Sequence, residues 1–364
     1  VTGRTGELTT VTALAVPGIG EVTAGADLAA LIVEAAGCAT VEITAGDIVV
    51  VASKVVAKAE GRTVPEAERD AAIVAESVRE VASRRMADGR LTRVVQTRSG
   101  PVLAAAGVDA SDVDAGTVLL LPDHPDRSAR SIREGLARSL GVRPAVLITD
   151  TSGRPWRCGV ADFALGAAGL TCLDDLRGTP DASGRTLSVT VRNLADEIAC
   201  LADLVKGKSR GTPVAVVSGL PGLVTDADGD GAANLVRVGR TDWFRYGHVE
   251  AVSHALDRGR GLADPPSLDP DADHPAARVG RAVATAVSFD GGEQVSAQTE
   301  VQQRVGGDHG DDVLRVRLDG PAFALGRALE RLLTAAWAHD LQLIGPADPP
   351  SAAGRPITVT LRSV

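Results

Sequence analysis

The apolar positions fall into two regimes that meet near residue 257. Asp47-Ile-Val-Val-Val-Ala-Ser53 is a continuous apolar run of strand length, and such a run marks a strand buried on both faces. Before it, residues 27–36 have helical character, with Asp27 as the cap and Gly37 as the stop. The charged stretch Pro65–Met86 carries Ile73, Val74, Val78 and Val81 at helical spacing and predicts a helix. Further strands are predicted at Arg93–Thr97, Thr117–Leu121, Ala145–Thr149, Leu187–Val191 and Pro213–Val217.

Asp257–Ala277 holds Pro, Asp and Gly without an apolar period, the composition of a linker. Beyond it Val279–Val287 and Pro321–Leu341 predict helices, while Val313–Leu318 and Ile357–Leu361 alternate as strands do. The expected organisation is a main domain over 1–256, a linker over 257–277 and a small C-terminal α+β module over 278–364.

Composition narrows the function. At 364 residues and 44% hydrophobic content the chain buries at least one full core, and with 2% aromatic residues that core is built from small and β-branched side chains. A net charge of -9 argues against nucleic acid or an anionic membrane as partner, although a local basic pocket for phosphate stays open. No apolar run approaches the roughly 20 residues of a membrane span. The N-terminus lacks the basic-then-apolar order of a signal peptide, so a cytoplasmic protein is expected. The four cysteines form no CxxC pair and the six histidines no HxxxH or HExxH spacing, which points away from zinc and from a disulfide framework.

Three segments place polar chemistry at predicted strand ends, where a sheet holds side chains rigidly while backbone groups stay free. In the first, the apolar strand runs into Ser53, Lys54 and Lys58, hydroxyl and ammonium donors suited to phosphate oxygens. It is not a P-loop, since GxxxxGKS/T is absent, and it reads equally as a solvated strand end. In the second, Asp150 and Thr151 end a strand and offer hard oxygens to Mg²⁺ or Mn²⁺, with Arg154 and Arg157 beyond to neutralise phosphates or carboxylates. The alternative is a turn stapled by Trp156. In the third, Asp109, Asp112 and Asp114 precede a strand and can share a metal with Asp150, or simply cap a solvated turn. Asp226-Ala-Asp228-Gly-Asp230-Gly231 opens like a calcium loop, but its twelfth position is Arg237, and a flexible acidic loop is the better reading.

Together these segments resemble the coenzyme F420-0:L-glutamate ligase family. The matching pieces are GIGEVTAGADLAALI (18–32), DIVVVASKVVAKAEGR (47–62), AAGVDASDVDAG (105–116), LPDHPDRSARSIREGL (121–136), ITDTSGRPWRCGVADFALGAAGL (148–170), TVRNLADEIACLADLVKGK (190–208) and TPVAVVSGL (212–220). The resemblance implies an α+β fold with a mixed sheet, a homodimer, GTP as co-substrate, and Mg²⁺ or Mn²⁺. It also implies F420-0 and L-glutamate as substrates, joined by an amide bond through an acyl phosphate. Carried onto this chain, it implies nucleotide contacts from Gly18, Ile19, Gly20, Glu21, Ser53, Lys58 and Asp112, and metal ligation by Asp109, Asp150 and Thr151. Catalytic roles fall to Lys58, Asp150 and Arg154.

The chain also departs from that pattern. The family has Pro at Gly20, Asn at Ala105 and Asp112, Asn-Gly-Gln-Thr-Asp over 158–162 and Thr-Glu over 190–191, where this chain has Cys158, Val160, Ala161 and Val191. These exchanges leave two other readings open: an amide ligase of the same fold acting on a different carboxylate or amino acid, or an inactive nucleotide-binding homologue. The segment after the linker is too short for the flavin-binding domain of some relatives, so no flavin is expected.

Overall fold

The structure is a computed structural model and describes residues 10–85, 91–237, 242, 244, 246–256, 275–287, 295–302, 313–339, 341–344 and 356–363. It divides into two compact units, one of Val1–Ile73 with Thr97–Thr241 and one of Val74–Gln96 with Asp242–Val364. Residues 242–256 thus group with the C-terminal module. Most of the expected linker, 257–274, lies outside the described residues, and a helix already begins at Pro275.

The described residues start with β1 (Thr12–Val16), α1 (Leu28–Cys38), β2 (Ile48–Ala52), α2 (Ser53–Ala59), β3 (Thr63–Pro65) and α3 (Arg69–Ala75). β4 (Ser77–Arg85), β5 (Leu91–Thr97), β6 (Val102–Ala104), β7 (Thr117–Leu119), α4 (Pro125–Leu140), β8 (Ala145–Gly153) and β9 (Val160–Ala168) follow. Next are β10 (Leu173–Asp175), β11 (Val191–Asn193), α5 (Leu194–Lys206), β12 (Val214–Ser218), α6 (His248–Leu256) and α7 (Pro275–Val287). β13 (Ser296–Gln302), β14 (Val313–Asp319), α8 (Ala322–Ala338), β15 (Leu341–Leu343) and β16 (Ile357–Ser363) complete it.

In the first unit the main sheet has the order β1-β12-β2-β8-β9. The β2–β8 pair is parallel and the other three pairs are antiparallel, so the sheet is mixed. Strand β2 and the leading residues of its neighbours, 145–148 in β8 and 214–217 in β12, are apolar at every position because both faces are covered. Val49, Val51, Val146, Ile148, Val214 and Val216 face α1 and α4, while Ile48, Val50, Ala145, Leu147, Ala215 and Val217 face α5. Each large side chain so buried is worth about 1.5–3 kcal/mol over exposure. Asp27 caps α1 by accepting from the Ala30 N–H at 3.1 Å, and the helix runs one residue past Gly37.

The acidic loop after β12 is held by a buried guanidinium. Arg133, in α4, donates to Pro144 O at 3.0 Å, Asp226 O at 3.2 Å and Asp228 Oδ1 at 2.8 Å, and also to Thr225 O. The Asp228 carboxylate therefore neutralises an internal cation, which accounts for acid at that position without calcium.

In the second unit β13-β14-β16-β15 form an antiparallel sheet with α7 and α8 on one face. Leu314, Val316, Leu318, Ile357, Val359 and Leu361 are buried there and alternate with exposed Arg315, Arg317 and Thr358, the signature of a sheet covered on one side. Among the described residues no helix is long and apolar enough to cross a membrane.

Three local expectations are corrected. The stretch predicted as helix over Pro65–Met86 is helical only to Ala75, and Ser77–Arg85 is strand β4 beside β5. Cross-strand polar pairs override the helical spacing there: Arg79 Nε donates to Gln96 Oε1 at 2.9 Å, and Arg93 lies 3.4 Å from Glu80. Residues 187–190 are not a strand; the strand begins only at Val191, and Val189 is exposed. Helix α8 stops at Ala338, since Leu341 already belongs to β15.

Candidate functional site

Strand β2 passes directly into α2, so Ser53 stands at the strand end and Lys54 and Lys58 follow one helical turn apart on one face. Strand β8 lies parallel to β2 up to the Ala52–Thr149 pair, so Asp150 and Thr151, just beyond it, stand beside the end of β2. Ser53, Lys54, Asp109, Asp150, Thr151, Ser152 and Gly153 line a cleft of about 200 Å³ whose apolar wall includes Leu103, Val108 and Leu121.

The cleft wall bends sharply before Asp109. Ala105, Ala106 and Gly107 are all in the left-handed region, at φ of 51°, 55° and 73°. A side chain at Gly107 would meet Leu121, so glycine is required there for space as well as for conformation.

The two lysines clamp the acidic turn. Lys54 Nζ lies 2.7 Å from Asp109 Oδ2 and also donates to the Ser111 hydroxyl, while the Ser111 N–H donates to Asp109 Oδ1 at 2.8 Å. Burial would raise the Asp109 carboxyl, but Lys54 and Ser111 outweigh it and hold it below its ordinary value. Lys58 Nζ lies 2.7 Å from Glu21 Oε1 and 3.6 Å from Asp112 Oδ2. Buried Ile19 anchors the loop between β1 and α1, leaving Gly18 and Gly20 exposed next to Glu21.

Asp150 has a different environment. Burial pushes its carboxyl up to about 6, against hydrogen bonds from the Thr151 N–H and the Ser53 hydroxyl; Asp162 adds to the rise and Lys208 opposes it.

Ser53, Asp109, Asp150 and Thr151 thus meet in one cleft, while Glu21 and Asp112, from two separate loops, pair with Lys58 of helix α2. Arg154 is outside the cleft lining: it sits in the exposed turn joining β8 to β9, where its charge acts on Asp196 and Cys200 of α5. Trp156, in that turn, is 92% exposed at φ 64° and staples nothing.

Sequence reasoning missed the layer beneath. Asp162 and Lys206 are each 4% exposed, and Lys206 Nζ lies 2.9 Å from Asp162 Oδ2. Asp162 Oδ1 accepts from the Thr151 hydroxyl at 2.6 Å. Burial would raise Asp162, but Lys206, the Thr151 hydroxyl and Lys208 hold it below its ordinary value. The one available signal was a polar residue, Asp162, inside an otherwise apolar segment ending at Leu170.

Comparison with known proteins gives the family. The family described as F420-0:Gamma-glutamyl ligase matches residues 18–219. A Coenzyme F420:L-glutamate ligase of Halobacterium salinarum is 41% identical over 253 residues, covering 64% of this chain and 95% of that protein. The protein of the same name from Halorubrum lacusprofundi is 41% identical over 253 residues, covering 64% and 94%. That of Haloarcula marismortui is 40% identical over 223 residues, covering 56% and 85%. With its cleft residues inside the matched span and nearly the whole length of these relatives covered, this chain belongs to the F420-0:gamma-glutamyl ligase family, a family of ligases.

Proposed function

We propose that this chain joins L-glutamate to the terminal carboxylate of coenzyme F420-0, using GTP and a divalent cation. A carboxylate oxygen of F420-0 displaces GDP at the γ-phosphorus to give an acyl phosphate. The glutamate amine then displaces inorganic phosphate at the acyl carbon, forming the amide and releasing a proton. The observation that carries this reading is the convergence of Ser53, Lys54, Asp109, Asp150 and Thr151 on one cleft within the family's span. The names of the relatives supply the substrates.

The donor set fits a divalent cation. Asp109, Asp150 and Thr151 are hard oxygen donors, and the hydrogen bonds to the desolvated Asp150 carboxylate come from neutral groups. Asp109, Asp150 and Thr151 would hold the cation, and Mg²⁺ characteristically takes one or two carboxylates together with substrate phosphates. When bound, the cation offsets charge on the transferring phosphoryl group.

The chain's own residues do the positioning. Lys58 sets a positive charge beside the exposed backbone of Gly18 and Gly20, suited to nucleotide phosphates. Lys54 holds Asp109 ionised in the cleft that Asp150 also lines. Leu103, Val108 and Leu121 lower the local dielectric, which strengthens each of these charges.

One observation favours a second reading, a ligase of the same fold acting on another carboxylate. Val160 is 66% exposed and Val191 39% exposed at positions where the family resemblance expects Gln and Glu. An acceptor site built on those polar groups would lose their hydrogen bonds here, at roughly 1 kcal/mol or more each. The test is mass spectrometry of purified protein with F420-0, L-glutamate, GTP and Mn²⁺. The proposal expects a product heavier by one glutamyl residue with one GDP per amide, and GTP binding without that product favours the second reading.

A further inference from the structure

Thr149, Asp162 and Lys206 have almost no solvent access and lie directly beneath the end of β8. Their hydrogen-bond directions are fixed by chemistry. The Lys206 ammonium only donates, and it reaches Thr149 Oγ1 at 2.8 Å and Asp162 Oδ2 at 2.9 Å. A carboxylate paired with that ammonium is ionised, and an ionised carboxylate only accepts. The Thr149 hydroxyl, 3.0 Å from Asp162 Oδ2, and the Thr151 hydroxyl, 2.6 Å from Asp162 Oδ1, must therefore both donate.

Thr151 lines the cleft, and its proton is committed to Asp162 on the far side. Its oxygen can then present only lone pairs to the cleft. Were Asp162 neutral or absent, the hydroxyl could turn its proton toward the cleft and repel a cation. Lys208 also reaches Asp162 Oδ1, at 3.3 Å, but its side chain is 60% exposed and no bond joins it to Thr149. The buried charge balance rests on Lys206.

We propose that Lys206 is a positioning residue for the cation site: by pairing with Asp162 it fixes the Thr151 proton away from the cleft and makes that hydroxyl an obligate acceptor. This rests on the reading that Thr151 is a metal ligand. Lys206 touches neither substrate nor metal in this scheme and acts only through Asp162.

The test is Mn²⁺ binding to the full-length protein, read from the electron paramagnetic resonance signal of free Mn²⁺, alongside Tm. Partners of metal ligands typically govern 10–100-fold in affinity. Replacing the buried pair by apolar side chains in the double variant D162L/K206M is commonly neutral or stabilising for a fold. A merely structural pair would therefore leave Mn²⁺ affinity and Tm both unchanged. The proposal expects Tm to hold while Mn²⁺ affinity falls 10–100-fold, and expects the near-isosteric Asp162→Asn to lose affinity in the same direction should the double variant misfold. Thr151→Val separates the two layers of the argument. If Thr151→Val weakens Mn²⁺ binding while the pair variants bind as wild type does, the Lys206 role is overturned alone. If Thr151→Val binds Mn²⁺ normally, or the wild type binds none, the metal reading falls and the Lys206 role with it.

Discussion

Lys58 Nζ lies 2.7 Å from Glu21 Oε1, which ties helix α2 to the loop that follows β1. The same ammonium is 3.6 Å from Asp112, so a single cation joins three segments distant in sequence. Both carboxylates are exposed and can release it, whereas Lys58 itself is only 10% exposed and stays in place.

Lys58→Met is therefore expected to weaken GTP binding by about 10–100-fold, the worth of one or two charge-assisted hydrogen bonds. The fold should lose less than about 1 kcal/mol, because ion pairs with exposed partners contribute little. Isothermal calorimetry with GTP and a thermal melt check both halves; normal GTP affinity would remove Lys58 from the nucleotide site.

Asp150 couples stability to pH. Its folded-state pKa of about 6 stands above the ordinary 3.8, so in the metal-free protein the ionised carboxylate costs stability. That cost is fully present above pH 6 and fades as pH falls toward 3.8. Asp150→Asn should accordingly stabilise the metal-free protein at pH 7.5 by on the order of 1–3 kcal/mol, with an advantage that shrinks steadily at pH 5 and below. The same variant, and Asp109→Asn, should keep the fold and lose metal-dependent turnover. Near-normal turnover in either variant would take that residue out of the cation site.

Ala105 carries backbone strain that the family resemblance avoids. An alanine at φ 51° costs roughly 1 kcal/mol relative to residues that tolerate the left-handed region, and asparagine is one of these. Ala105→Asn, which restores the family residue, should raise stability by about 0.5–1 kcal/mol, visible as a small rise in Tm. A fall in Tm would show that the turn is held by other contacts.

The apolar clusters of the first unit draw on residues up to Leu235, and the C-terminal cluster begins at Leu256. A chain ending within 257–277 keeps both of those first-unit clusters and is therefore expected to stay folded and bind GTP. Recovery of aggregated material alone would show that the retained part, which includes Val74–Gln96 of the second unit, needs the residues beyond the cut to fold.

Much of this was legible in the sequence for identifiable reasons. The run Ile48–Ala52 is apolar at every position because helices cover both sheet faces, and Asp27 caps α1 as its position suggests. Ser53, Asp150 and Thr151 were identifiable because polar residues ending buried strands point to strand-end sites. Lys206 was not, because a lysine in the last turn of a helix is ordinarily a partner for the helix dipole. Its carboxylate partner is 44 residues away, on a strand of small residues with no clean alternation. The β4 strand was misread because Ile73, Val74, Val78 and Val81 keep helical spacing while long-range pairing decides the outcome.

The central claim is that the cleft joins glutamate to F420-0 through an acyl phosphate formed from GTP. The most direct measurement uses F420-0 labelled with ¹⁸O in its terminal carboxylate, incubated with L-glutamate, GTP and Mn²⁺, with phosphorus products analysed by mass spectrometry. One ¹⁸O should appear in inorganic phosphate for each amide formed, with none in GMP. Label in GMP, or amide formed without transfer of ¹⁸O to inorganic phosphate, would contradict the account.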